Sequence, residues 1–263
     1  MATMNRQDRF IPEFDLTGQV ALVTGGSRSI GRACASVLAE AGASVVVAGR
    51  DVNALHRVQD EIVAAGGNAL GLSCDVTDKD QVDKMVRDAV EHFASIDIVV
   101  ASAGVFQQWC EPEELVVSDW DYLQAVNLRG AMLTATAAGS QMIEQGTGGS
   151  MVTISSIQGV TGRRRTMAYT ASKHGLVGLT KSLALDWAGH NIRVNCLAPG
   201  FIRRDVEPLT SDAAMVNFVR TRTPMARWGS VREVALACLF LAAPASSYVT
   251  GSTLLVDGGW CAQ

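Results

Sequence analysis

The chain has no paired cysteines, no apolar run long enough to cross a bilayer and no excess of basic charge. Its six cysteines (Cys34, Cys74, Cys110, Cys196, Cys238 and Cys261) are scattered, with no C-x-x-C pair. A zinc site and a disulfide framework are both excluded, so no metal is expected and the thiols read as reduced. The most apolar stretch, residues 234–243, falls far short of the roughly 20 residues that span a membrane. With 26 acidic and 22 basic residues, the net charge is −4, which gives no field for nucleic acid. There is no N-x-S/T sequon, and the first fourteen residues, MATMNRQDRFIPEF, contain no apolar signal core. Cytoplasm is the expected location.

What the sequence does have is 48% hydrophobic residues in 263, enough for a sizeable core. Residues 1–15 are polar and contain Pro12, and they read as a loose arm. From there, short β-branched runs alternate with helical patterns. The run 20–23 is continuously apolar, as in a strand buried on both faces. Further strands are expected at 44–48, 70–74, 98–101, 151–155, 193–197 and 253–256. Helices are expected over 30–41, from Val52 to Gly66-Gly67, along Val82, Met85, Val86, Ala89, Val90 and Phe93, and over 168–188. Ser118 with Asp121 predicts the capped start of one long helix running to about 145. Ser230 with Glu233 predicts a capping box for a helix ending near 242. Repeated β-α-β units imply α/β architecture: one domain over 16–263, a doubly wound parallel sheet of about seven strands with helices on both faces. Residues 201–229 lose periodicity and read as a substrate lid.

Directly after the first strand stands Thr24-Gly25-Gly26-Ser27-Arg28-Ser29-Ile30-Gly31. A turn that feeds a strand into a helix, with glycine where backbone must approach a ligand, presents free N–H groups and a positive dipole end to a pyrophosphate. Gly25 supplies the turn, and Gly31 lets helix and strand pack closely. Further on, Tyr169 and Lys173 lie four apart on one helix face. A free tyrosine has a pKa of about 10. A neighbouring ammonium stabilises the phenolate, so the phenol can exchange a proton with a carbonyl or alcohol oxygen. Ser156, at the end of the fifth strand, can hydrogen-bond the same oxygen. Strand alternation turns Ser155 the other way.

The glycine-rich turn together with Tyr169-Thr170-Ala171-Ser172-Lys173 resembles the short-chain dehydrogenase/reductase family, and the likeness runs from about Gly18 to Gly259. It implies a Rossmann-type sheet and hydride transfer between a nicotinamide cofactor and a small carbonyl or alcohol substrate. It also implies a homotetramer; neither nucleic acid nor membrane is expected as partner, from the net charge and the lack of a long apolar run. Asn127, in Ala125-Val126-Asn127-Leu128, matches the family's fourth catalytic member and by resemblance anchors a water that links Lys173 to solvent. Asp75-Val76 matches its adenine contact, Ala101-Ser102-Ala103-Gly104 its loop after the fourth strand, and Pro199-Gly200-Phe201-Ile202 its nicotinamide-side turn. Two positions depart from the pattern: Ser29 stands where a glycine is usual, and Ser102 where an asparagine is.

At the end of the second strand, where an acid would hold the ribose hydroxyls of NAD(H), the sequence reads Gly49-Arg50. With Arg28 in the turn, this favours the 2′-phosphate of NADP(H) over NAD(H). Arg163-Arg164-Arg165, Arg203 and Arg204 read either as a basic mouth for an acidic substrate or as solvated and subunit-contact charge. Trp109, Trp228 and Trp260 read as pocket lining or as packing, and His174 as a helix-surface residue. A sugar acid and a 3-oxoacyl thioester both remain open as substrates. A sugar-nucleotide epimerase and a non-catalytic dinucleotide sensor are the readings from other classes. The epimerase is disfavoured by chain length, and the sensor by the intact Ser156, Tyr169, Lys173 and Asn127.

Overall fold

In the computed structural model, which describes residues 11–203 and 213–263, seven strands form one parallel sheet. They are β1 (Val20–Thr24), β2 (Ser44–Gly49), β3 (Asn68–Ser73), β4 (Ile98–Ala101), β5 (Gly149–Ile154), β6 (Ile192–Pro199) and β9 (Thr253–Val256), in the order β3-β2-β1-β4-β5-β6-β9. A second, two-stranded parallel pair joins β7 (Ile202–Arg203) to β8 (Gly229–Ser230). The doubly wound parallel sheet expected from the alternating pattern is what forms. Every residue of β1 and β4 is buried, as strands covered on both faces must be.

Side-chain alternation builds two cores. Ala21 and Val23 pack with α1 (Ser29–Glu40), α2 (Val52–Ala64) and α8 (Val231–Ala242). Val20 and Leu22 pack on the opposite face with α3 (Lys79–Phe93), α5 (Gly130–Gln145) and α6 (Met167–Trp187). From β1 the chain winds out through β2 to β3, then returns to add β4 on the other side of β1. The strand order reverses there, and the crevice outside the carboxyl ends at such a switch point is where open α/β sheets take their ligands.

Two expectations need correction. The helix expected to run unbroken from Ser118 is in fact α4 (Val117–Gln124), a π-helical turn Ala125–Arg129, and α5. Ser118 does not cap it. The N-cap is Val116, in extended conformation and with no side-chain hydrogen bond, and Ser118 already lies inside the first turn. The chain enters from a 3-10 turn at Pro112–Glu114, which sets the helix start one residue before the serine. The capping box at Ser230 forms as expected: its hydroxyl accepts from the Glu233 N–H, and the Glu233 carboxylate accepts from the Ser230 N–H. Of the expected arm and lid, residues 1–10 and 204–212, Arg204 among them, lie outside the described residues. The rest of the lid carries α7 (Ala213–Arg222).

Candidate active site

The glycine-rich turn is closed by contacts that admit no side chain. A Cβ on Gly31 would stand 2.2 Å from the Gly25 carbonyl oxygen, and one on Gly25 would stand 2.7 Å from the Ala103 Cα. The turn therefore packs against both its own helix and the loop leaving β4, which carries Ser102 and Gly104. Gly26 N–H donates to the Ala48 carbonyl at 3.2 Å, tying the turn to the end of β2. Ser27 lies beside Gly49, where a Cβ would stand 3.6 Å from the Ser27 hydroxyl oxygen. Ser29, the first residue of α1, takes φ 51, a left-handed conformation suited to glycine. Ile30 follows it and packs against the α1-side core.

Among the described residues, no hydrogen bond is made by the hydroxyls of Ser27, Ser29 or Ser102 or by the guanidinium of Arg28. Arg50 is anchored instead, donating to the Tyr122 hydroxyl at 3.4 Å and lying 3.8 Å from the Asp75 carboxylate. The same carboxylate accepts from the backbone and side chain of Thr77. Val76, beside it, packs so closely on Gly130 that a Cβ there would come within 2.7 Å of its methyl group. A helix N-terminus, a turn cleared for close backbone approach, three hydroxyls without a partner among the described residues and two guanidiniums together fit a phosphate-bearing dinucleotide.

Across the switch point, the ends of β4 and β5 gather the second group. Lys173 is 5% exposed, and its ammonium donates to the Ile154 carbonyl at 2.8 Å. That nitrogen lies 5.5 Å from the centroid of the Tyr169 ring. The Ser155 hydroxyl donates to the Lys173 carbonyl, so it braces α6 while Ser156 faces away. Ser156 Oγ accepts from the Gln158 N–H at 3.2 Å. A hydroxyl used as acceptor from within keeps its own hydrogen for a partner outside. Asn127, at the centre of the π-helical turn and fully buried, grips Val105 at two points. It accepts from its N–H at 2.8 Å and donates to its carbonyl at 2.9 Å. This grip holds Gly104 so that a Cβ there would stand 3.8 Å from the Lys173 ammonium.

Three partners were not legible from spacing. Gln107 is buried and accepts from the Tyr169 N–H at 3.1 Å, the Phe106 ring lies 4.7 Å from the Tyr169 ring, and Gln158 accepts from the hydroxyls of Thr166 and Thr170. On the substrate side, Pro199 ends β6 and Ile202 opens β7, both buried. Between them Phe201 packs against Phe218 of α7, Trp228 and Trp260. Trp228 and Trp260 are thus packing residues of the lid base, whereas Trp109 is exposed and lies against Arg163. His174 is exposed on the surface of α6. No group of histidine, cysteine and acidic side chains able to hold a metal occurs among the described residues. No described helix is long and apolar enough to cross a membrane.

A family profile described as enoyl-(acyl carrier protein) reductase matches residues 25–261. The chain is 39% identical to gluconate 5-dehydrogenase of Gluconobacter oxydans (strain 621H) over 247 residues, 94% of this chain and 96% of that one. A crystal structure of a short-chain type dehydrogenase/reductase from Mycobacterium marinum is 40% identical, with a TM-score of 0.90, over 95% of this chain and 98% of that one. A gluconate 5-dehydrogenase from Burkholderia cenocepacia J2315, in complex with NADP and tartrate, is 36% identical, with a TM-score of 0.91, over 95% and 98% of the two chains. Shared sequence over nearly the whole length, the switch-point crevice and the same sheet lead to one assignment: the chain belongs to the short-chain dehydrogenase/reductase family and is an oxidoreductase of CH–OH groups.

Proposed function

We propose that this chain is an NADP(H)-dependent oxidoreductase that moves a hydride between nicotinamide and a ketone or secondary alcohol, with a sugar acid or another anionic carbonyl compound as substrate. Residues 16–263 act as one catalytic domain in the cytoplasm. The observation that carries the reading is the Lys173 ammonium, buried against the Ile154 carbonyl at the end of β5 and 5.5 Å from the centroid of the Tyr169 ring, with Ser156 two residues beyond Ile154.

The nicotinamide, when bound, supplies or takes the hydride. The chain handles the oxygen and its proton. Ser156 Oγ, already accepting from Gln158, donates to the substrate oxygen and fixes its position. The Tyr169 hydroxyl gives that oxygen a proton in reduction and takes it back in oxidation. The Lys173 ammonium, held by Ile154, favours the phenolate through its charge. Asn127 fixes the loop under Lys173 and, by family resemblance, anchors the water through which Lys173 reaches solvent. Ser27, Ser29 and Ser102 offer hydroxyls to the phosphates and adenosine. Gly25, Ile30, Gly31 and Gly104 shape the cradle, Asp75 and Val76 border the adenine, and Pro199 and Ile202 border the nicotinamide. Arg28 and Arg50 take the 2′-phosphate.

A 3-oxoacyl-thioester reductase is the competing reading, favoured by the acyl-carrier description of the matching family. The deciding experiment follows NADPH and NADH oxidation at 340 nm with 5-ketogluconate, an acetoacetyl thioester and a neutral cyclic ketone. Turnover is expected with NADPH well above NADH and with 5-ketogluconate above the thioester. Tyr169→Phe is expected to lower kcat by about 10²–10⁴-fold, the usual worth of a positioned acid–base group. A preference for NADH would overturn the arginine argument, and an active Tyr169→Phe would overturn the mechanism.

A further inference from the structure

One arginine of the 163–165 run sits in an aromatic bracket. The guanidinium carbon of Arg163 lies 4.9 Å from the centroid of Trp109 and 5.4 Å from that of Phe201. The two rings belong to separate segments, the loop after β4 and the turn after β6. Trp109 is three residues beyond Phe106, whose ring rests on Tyr169. Phe201 follows Pro199 and Gly200 at the end of β6, at the base of the lid. Arg163 therefore bridges the turn after β6 and the loop after β4, the loop whose Phe106 rests on Tyr169.

The neighbouring arginines are differently placed. Arg165 is paired with Glu111, with Nε donating to the carboxylate at 2.7 Å. Arg164 is exposed. Arg203 lines a separate pocket of about 400 Å³ with Arg220 and Arg227. Arg163 alone is half-buried between aromatic rings, and no acidic side chain among the described residues pairs with it. Burial holds its pKa below the usual arginine range, yet a guanidinium remains charged in protein. A partly desolvated cation without a counter-ion is costly, and ring contacts return only about 0.5–2 kcal/mol of that. A guanidinium carries its N–H donors in its own plane, a fork that matches a planar, two-oxygen partner.

We propose that Arg163 is the specificity-determining residue that receives the carboxylate of the substrate, so that this site prefers hydroxy and oxo acids to neutral alcohols and ketones. The proposal rests on the hydride-transfer reading above and reduces the basic mouth to one guanidinium. A substrate carboxylate completes a pair that no acidic side chain among the described residues supplies, and the Trp109 and Phe201 rings hold the guanidinium in place.

The test compares an acid with its neutral amide. Gluconate and gluconamide are titrated calorimetrically into the enzyme saturated with NADP⁺, and kcat/KM is measured for 5-ketogluconate and its amide. Wild type, Arg163→Gln, Arg163→Lys and the exposed control Arg164→Gln are compared. Wild type is expected to favour the acid. Arg163→Gln should lower the acid-to-amide ratio by about 10–100-fold, the range of a charge-assisted pair, mainly through KM. Arg163→Lys should fall between, since it keeps the charge but loses the planar fork, and Arg164→Gln should keep the wild-type ratio. Equal losses on acid and amide in both Arg163 variants would make the residue structural and overturn the proposal. So would an unchanged ratio, or a wild type that binds neither ligand. Reduction of a neutral cyclic ketone, lost in Tyr169→Phe, would preserve the hydride-transfer reading even then. Carboxylate binding through Arg163 without any NADPH oxidation would sink that reading instead.

Discussion

At Ser29 a side chain occupies backbone geometry that suits glycine. A left-handed conformation costs an L-residue roughly 1–2 kcal/mol, and Ser29 adopts it at φ 51 where the family places a glycine. Its hydroxyl has no partner among the described residues and stands at the N-terminus of α1, where a phosphate would lie. The serine thus accepts strain in exchange for a donor. Ser29→Gly should relieve the strain, less about 0.5–1 kcal/mol for the added freedom of the unfolded chain, a net gain of about 0–1.5 kcal/mol. Ser29→Gly and Ser29→Ala should both weaken NADPH binding, by about 2–10-fold for one lost hydrogen bond. Nucleotide fluorescence titration with urea unfolding separates the two effects. Tighter binding by the glycine variant would mean that the Ser29 Cβ crowds the cofactor, contrary to the donor role. At this scale the sequence was readable where roles depend on spacing along one element, as for Tyr169 and Lys173. Gln107 and the bracket around Arg163 were not readable, because they arise where loops meet across long separations, 62 residues for Gln107 and Tyr169. No periodicity records such meetings.

The elements show the same division. The strands and the amphipathic α3 follow directly from their apolar patterns, since those faces are buried wherever the strands are placed. The π-helical turn at Ala125–Arg129 left no mark that hydropathy could show, because it adds a residue to a helical path without adding polar sequence. It is nonetheless what presents Asn127 to Val105, and π-turns recur at functional sites for such reasons. The capping box of α8 was legible because its chemistry is local, and Arg227 extends it with two bonds to Glu233. Those bonds first, and then the Ser230 N–H, lower the Glu233 carboxyl from 4.5 to about 2. A carboxyl lowered in the folded state stabilises fully above 4.5, and that contribution is lost as pH falls toward 2. Glu40 on α1, bonded by Arg232 of α8, is lowered as well and contributes in the same direction. Ser230→Ala should therefore cost about 1 kcal/mol near neutral pH. Glu233→Gln should flatten the decline of the urea midpoint between about pH 4.5 and 2 relative to wild type. An acid limb as steep as that of wild type would show that the exposed Arg227–Glu233 pair is screened by solvent and contributes nothing.

For the molecule as a whole, two covered sheet faces account for the core but not for every apolar surface. Val116 and Val117 are 58% and 71% exposed at the start of α4. An open groove of about 870 Å³ is lined by Asp121, Tyr122, Leu128, Arg129, Met132 and Leu179. A lining that combines apolar residues with one acidic and one basic side chain can be self-complementary: under a two-fold rotation each Asp121 can face the partner's arginine while the apolar residues meet. Two helical faces of this kind are expected to pair in a homo-oligomer, in keeping with the tetramer implied by the family. Sedimentation velocity should give a mass that is a multiple of the 27.8 kDa chain. Because the contact is symmetric, Met132→Glu introduces two carboxylates into each interface and should shift the population toward smaller species at micromolar concentration. Met132→Leu, which conserves volume and apolarity, should not. The pair of variants distinguishes loss of association from loss of fold, since Met132 is only partly buried and near-ultraviolet dichroism reports folding independently. A wild-type chain that sediments at 27.8 kDa, or a Met132→Glu variant with unaltered mass, would mean that the groove between α4, α5 and α6 is not a subunit contact.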